Sequence, residues 1–180
     1  MAQGDNGSVE HDDARAKDIP DPGFADDSGQ ADPVLAGLLA GRLSGGASSG
    51  QVLAALQDAR LLVPVVAILG EVEVDEHGLG HDKSSDMAAV LVQSPGGSTG
   101  LLAFTSTATM ARWNPEVRPV PVTAVTAATA AVQDGASALL VDLAGPASYV
   151  VEGDDLTRLA AGWRLVSVGA GHGWIGPSPE

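Results

Sequence analysis

Asp86-Met87-Ala88-Ala89-Val90-Leu91-Val92-Gln93-Ser94-Pro95-Gly96-Gly97-Ser98-Thr99-Gly100-Leu101-Leu102-Ala103-Phe104-Thr105-Ser106, running on to Trp113, is the stretch that decides the fold. Met87 to Val92 is a short apolar run, and Gly100 to Thr105 is another. The residues between them are rich in glycine, serine and proline, the types a tight reversal uses. Two strands joined by a hairpin are therefore expected. Ser106 then stands where a helix cap belongs, and a helix of about two turns is stopped at Asn114-Pro115.

The pattern extends outward in both directions. Leu61 to Leu69 is a continuous apolar run, the signature of a strand buried on both faces. Pro64 has no N–H for a ladder and places that strand at an edge or at a bulge. Residues 70 to 85 read as a polar loop. Downstream, Arg118 to Val122 is extended, and Thr123 opens a helix with Val125, Ala128 and Val132 as its apolar stripe, ended by Gly135. Ala138 to Leu143 and Ala147 to Val151 read as strands. Asp154 caps a last helix through Ala161, and the glycine-rich chain from Gly169 reads as irregular. Upstream, Asp32-Pro33 starts a helix carrying Leu35, Leu38, Leu39 and Leu43, broken at Gly45-Gly46. Ser48 or Ser49 caps a second with Val52, Leu53 and Leu56 on one face. The expected fold is α+β, a mixed β-sheet with helices packed against it, preceded by a disordered acidic N-terminal arm.

Composition narrows the function. The 180 residues are 44% hydrophobic and only 3% aromatic, so the core must be built from Ala, Val and Leu. A net charge of −14, with nine Lys and Arg scattered along the chain, offers no patch for nucleic acid and repels an anionic membrane surface. The absence of cysteine excludes a disulfide framework, a thiolate metal site and a cysteine nucleophile. Met1-Ala2-Gln3-Gly4-Asp5 has neither the basic start nor the apolar stretch of a secretory signal, and no apolar run approaches the roughly 18 residues of a spanning helix. A cytoplasmic protein is expected. Residues 1–31 hold Asp5, Glu10, Asp12, Asp13, Asp18, Asp21, Asp26 and Asp27 against Arg15 and Lys17, and bury too little to order themselves.

Four groups of residues invite a chemical reading. Gly96-Gly97-Ser98-Thr99-Gly100 spells a Gly-x-Ser-x-Gly, yet it joins strand to strand, whereas a nucleophile elbow joins strand to helix. His77, His81, Asp75 and Asp82 share one loop and are weak candidates for a divalent metal, because Gly78 and Gly80 deny them a common helix face. Thr105 and Ser106 fit a strand end and a helix cap. Trp113 and Trp174 are candidate partner anchors, Trp113 packing at a sheet edge and Trp174 either exposed or docked back on the domain. Asp86, Ser106, Trp113 and Trp174 form the candidate interaction surface. No catalytic constellation and no cofactor motif is found.

Arg60 to Val65, Lys83 to Met87, Leu102 to Ser106, Trp113 and Arg118 to Val122 together resemble the N-terminal domain of the SseB family. The alanine- and valine-rich composition is similar to the form found in high-GC bacteria. The resemblance covers about residues 47–162 and implies an α+β cytoplasmic domain of unknown molecular function; it carries no catalytic residues. The organisation expected is a disordered arm over 1–31, a short helix over 32–46, the SseB-like domain over 47–162 and a glycine-rich tail over 163–180. A second domain after Gly162 is not expected. The functional expectation is a non-enzymatic interaction or accessory module with another protein as partner. The alternative is a regulatory domain that binds a small molecule or a divalent metal through residues 71–86.

Overall fold

A computed structural model describes residues 23–68 and 86–177. In chain order the first elements are α1 (Pro33–Leu43), α2 (Ser49–Leu56), β1 (Arg60–Ile68), β2 (Asp86–Ala89), β3 (Leu91–Gln93) and β4 (Thr99–Ala103). They are followed by α3 (Thr107–Trp113), β5 (Arg118–Thr123), α4 (Ala124–Gln133), β6 (Ala138–Val141) and β7 (Tyr149–Glu152). The chain closes with α5 (Gly153–Ala160), β8 (Arg164–Val168) and β9 (Gly171–Ile175). The α+β expectation holds.

Local chemistry sets the helix starts. The Asp32 carboxylate accepts the Leu35 N–H at 2.8 Å, with Pro33 at the first helical position. Ser48 with Gln51, and Ser106 with Thr109, form reciprocal capping boxes at α2 and α3. Thr123 caps α4 through the Thr126 N–H. At α5 the cap is Glu152 without a side-chain bond, and Asp154 sits inside the first turn, where its charge suits the helix dipole.

The strands form sheets of order β2-β1-β5 and β3-β4-β6-β7, and the two are stitched at Val90. The Val90 N–H donates to the Pro64 carbonyl, while the Val90 carbonyl accepts from the Leu102 N–H, both at 3.1 Å. Pro64 has no N–H to offer, so that carbonyl is free to turn to β4. Leu62 and Phe104 exchange two backbone bonds of 2.8 Å beside it. Proline therefore marks a change of partner, and the edge reading is excluded because β1 is the central strand of its three.

The same geometry orients β5. Leu62 directs its backbone groups to Phe104, which makes Leu62↔Pro121 and Pro64↔Pro119 the pairs without mutual hydrogen bonds. Pro119 and Pro121 thus turn their missing donors to the open side of β5.

Four helices cover one face of the sheets. Leu61, Val63, Leu101, Ala103, Leu139, Val141 and Val151 join Leu35, Leu39, Val52, Leu53, Leu56, Leu156 and Leu159 in one buried cluster. The helix at 32–43 is therefore part of the domain and not a separate piece. From α4 the buried residues are Ala124, Ala127, Ala128 and Ala131, and Val132 is 45% exposed. The expected Val125–Ala128–Val132 stripe is rotated because α4 lies between the sheet and α5, where only alanine fits both sides.

Two described stretches, residues 23–31 and the β8–β9 hairpin, depart from expectation. Arg60 pairs with Asp27 at 2.8 Å, and the Gly29 carbonyl accepts the Thr107 N–H at 2.8 Å. The arm read as disordered through residue 31 is thus docked where it can be seen, because one buried-edge arginine gathers its acid. Residues 1–22 lie outside the described residues. At the other end, the supposed irregular tail contains the β8–β9 hairpin, turned by Gly169 at φ +58°. Gln57 acts as a surrogate strand for it: its side chain accepts the Leu165 N–H at 2.8 Å and donates to the Leu165 carbonyl at 2.9 Å. Arg164 pairs with Asp58 alongside.

Candidate interaction surface

Among the described residues, α3 is the one helix on the second face of the sheets. Side chains alternate along a strand, so the residues between those packed under the four helices point to the second face: Leu62, Pro64 and Val66 of β1, Leu102 of β4 with Phe104 just beyond it, Leu140 of β6, and Val150 and Glu152 of β7. Register aligns Leu102, Leu140 and Val150 in one row, with Val92, Gly100, Ala138 and Glu152 in the next. Met110 and Trp113 of α3 pack over Leu62, Leu102 and Phe104, leaving Val90, Val92, Val117 and Leu140 half-covered. Val66 and Val150 stay 44% and 45% exposed. A sheet face left to water is ordinarily polar, and the Leu102, Leu140 and Val150 row of this one is not.

Trp113 meets Phe104 with ring centroids 5.8 Å apart, which agrees with packing against the sheet. Ser106 is buried at the opposite end of α3 as its cap, and Asp86 ends β2 opposite Ile68. Trp174 is half-buried elsewhere, its Nε1–H donating to Asp155 at 2.9 Å, so it docks back on the domain. Ser106, Trp113 and Trp174 do not share a cleft. The loop at 94–98 is a hairpin turn closed by Ser94 N–H to the Ser98 carbonyl at 2.8 Å, as the strand-to-strand reading requires. His77, His81, Asp75 and Asp82 lie outside the described residues. Among the described residues no three metal-ligating side chains converge, and no helix is long and apolar enough to cross a membrane.

Two features went unread in the sequence. A cleft of about 320 Å³ opens between α2, β7, α5 and the hairpin, lined by Leu53, Tyr149, Asp155, Arg158, His172 and Trp174. Gly50 forms its wall because a Cβ there would collide with the His172 imidazole. The Tyr149 hydroxyl donates to the Ser49 carbonyl at 3.1 Å under the Arg42 guanidinium, and burial raises its pKa above the ordinary 10.0. The second is Asp142, buried and left-handed at φ +53°, whose carboxylate accepts the Thr105 N–H at 2.9 Å and the Thr105 Oγ1–H at 2.7 Å. That clamp joins the ends of the parallel pair β4 and β6. Both Asp142 oxygens are occupied, which makes it a structural tie. The uninterrupted apolar runs of β1 and β4 were the available signal for the bare face, since they make both sides of a strand apolar.

Residues 35–158 match the family model described as SseB protein N-terminal domain. No curated protein matches the chain, and no solved structure does. The matched span takes in both faces of the sheets and ends before the β8–β9 hairpin.

Proposed function

The chain belongs to the SseB family, and we propose that it works in the cytoplasm as a non-enzymatic interaction or accessory module. Its partner is another protein, which lays an apolar surface on the outer face around Trp113, Leu140 and Val150. One observation carries this reading: the outward residues Leu62, Pro64 and Val66 of β1, Leu102 of β4, Leu140 of β6 and Val150 of β7 are apolar, and among the described residues a single seven-residue helix covers that face. Burial releases about 25 cal/mol per Å² of apolar surface, so a bare face of this kind favours a covering layer. The residues available for chemistry support the same reading, since the Asp142 carboxylate is tied to Thr105 and Ser98 belongs to a hairpin turn.

Photo-cross-linking in cells tests the proposal, with the reactive residue placed at Val66, at Val150 and, as control, at exposed Gln133 on α4. The same discrete adduct is expected from positions 66 and 150 and not from 133. Adducts that are identical at all three positions, or missing from both outer positions, would sink it.

A further inference from the structure

We propose that β9 is a self-association edge, along which two copies of this chain pair antiparallel about a two-fold axis through Gly173. This does not rest on the outer-face reading.

Among the described residues, β9 has β8 on one side and no strand on the other. Leu165 gives both of its backbone groups to Gln57, so Leu165↔Trp174 is a pair without mutual hydrogen bonds, and Ser167↔His172 shares its parity. The N–H and C=O groups of His172 and Trp174 consequently point to the open side. Native edges are protected by proline, charge or a covering element. β5 has Pro119 and Pro121; β9, Gly171-His172-Gly173-Trp174-Ile175, has no proline, lysine or acid.

Charge and register select the occupant. Two chains of net charge −14 repel one another, but residues 160–179 contain no Asp or Glu. The hairpin is where a second copy can approach. Centring the pairing on Gly173 sets His172 opposite Trp174 of the second copy, and those residues exchange four N–H···O bonds in all. Gly173 faces itself in the closely spaced kind of pair, where Cα atoms come within about 4.5 Å and a missing side chain relieves crowding. Gly171 faces Ile175 of the second copy, so each isoleucine, 57% exposed in one chain, lies over a glycine. The small-x-small-x-large pattern is complementary to itself when reversed, which is what an isologous contact demands.

Light scattering on the full chain, from low micromolar to millimolar concentration, tests this. The expected mass is twice the 18.0 kDa of one chain at the upper end. Ile175→Lys places a charge over the contact, and His172→Pro removes an outward N–H while leaving the β8 ladder intact. Each should give a monomer with unchanged circular dichroism, and Val150→Asp on the outer face should still dimerise. In the wild-type dimer the Trp174 amide should exchange at least tenfold more slowly than in either monomeric variant, and the His172 amide at least tenfold more slowly than in Ile175→Lys. A wild type that stays monomeric throughout overturns the proposal, as does a dimer that survives both edge variants. So does an edge found filled by an extended segment of a different protein.

Discussion

Leu139 and Leu140 are neighbours on β6, identical in chemistry and opposite in circumstance. Leu139 faces four helices and is inaccessible to water; Leu140 faces the outer side, half-covered beside α3. The difference teaches that an apolar pattern states what a strand could bury on each face, while the number of layers decides what it does bury. The inner face is a finished core. Among the described residues, the outer face is a core with one wall incomplete.

The largest expected effect tests that contrast directly. Leu139→Ala should destabilise by about 3 kcal/mol, through lost transfer energy and the cavity left among alanines that cannot collapse. In a chain of this size the melting temperature should fall by about 9 °C. Leu140→Ala should cost about 1 kcal/mol, because water already reaches part of that side chain. Equal losses in urea unfolding would break the comparison.

A smaller effect is expected where the two faces meet, at the end of β6. Asp142→Ala strips Thr105 of the acceptor for its N–H and its hydroxyl, and puts a Cβ-bearing residue without local hydrogen bonds at a left-handed position. The loss should be about 2 kcal/mol. Asp142→Asn tolerates that backbone and keeps an acceptor, so it should recover most of the stability. An asparagine variant as damaged as the alanine one would show that charge, and not the tie, is what matters there.

The smallest effect is spectroscopic. Tyr149 is the only tyrosine, so near-ultraviolet absorbance reports its ionisation alone. Burial disfavours the phenolate, and the native midpoint should lie above 10.0, returning to the ordinary value in denaturant. A raised folded pKa means that the stabilisation is complete below pH 10 and is lost as pH climbs through the native midpoint. Coincident native and denatured titrations would place Tyr149 in water and undo the inner-face description at that corner.

Much of the inner layer was legible in the sequence, because its determinants are local. Asp32, Ser106 and Thr123 announce helix starts by their own side chains, and Ser94 to Ser98 announces a turn. What could not be read depends on distant residues. The partner change at Val90 needs Pro64 and Leu102 to be brought together first. The rotation of α4 needs α5 on its far side. Gln57 stands one hundred and eight residues from the strand end that it completes, and no periodicity in the glycine-rich C-terminal stretch reveals such help. Of the candidate residues, Trp113 packs on the outer face, whereas Ser106 and Trp174 are occupied as a cap and a dock.

The prolines of β5 have a consequence for how far assembly can go. A hairpin that accepts one copy uses up the open margin of β9, the far side of β8 is taken at Leu165 by Gln57, and β5, at the border of a separate sheet, lacks at Pro119 and Pro121 the amide donors that a further chain would need. Growth by strand addition along that direction halts at two chains, so a protein with an open seam can associate without threading itself into a fibre.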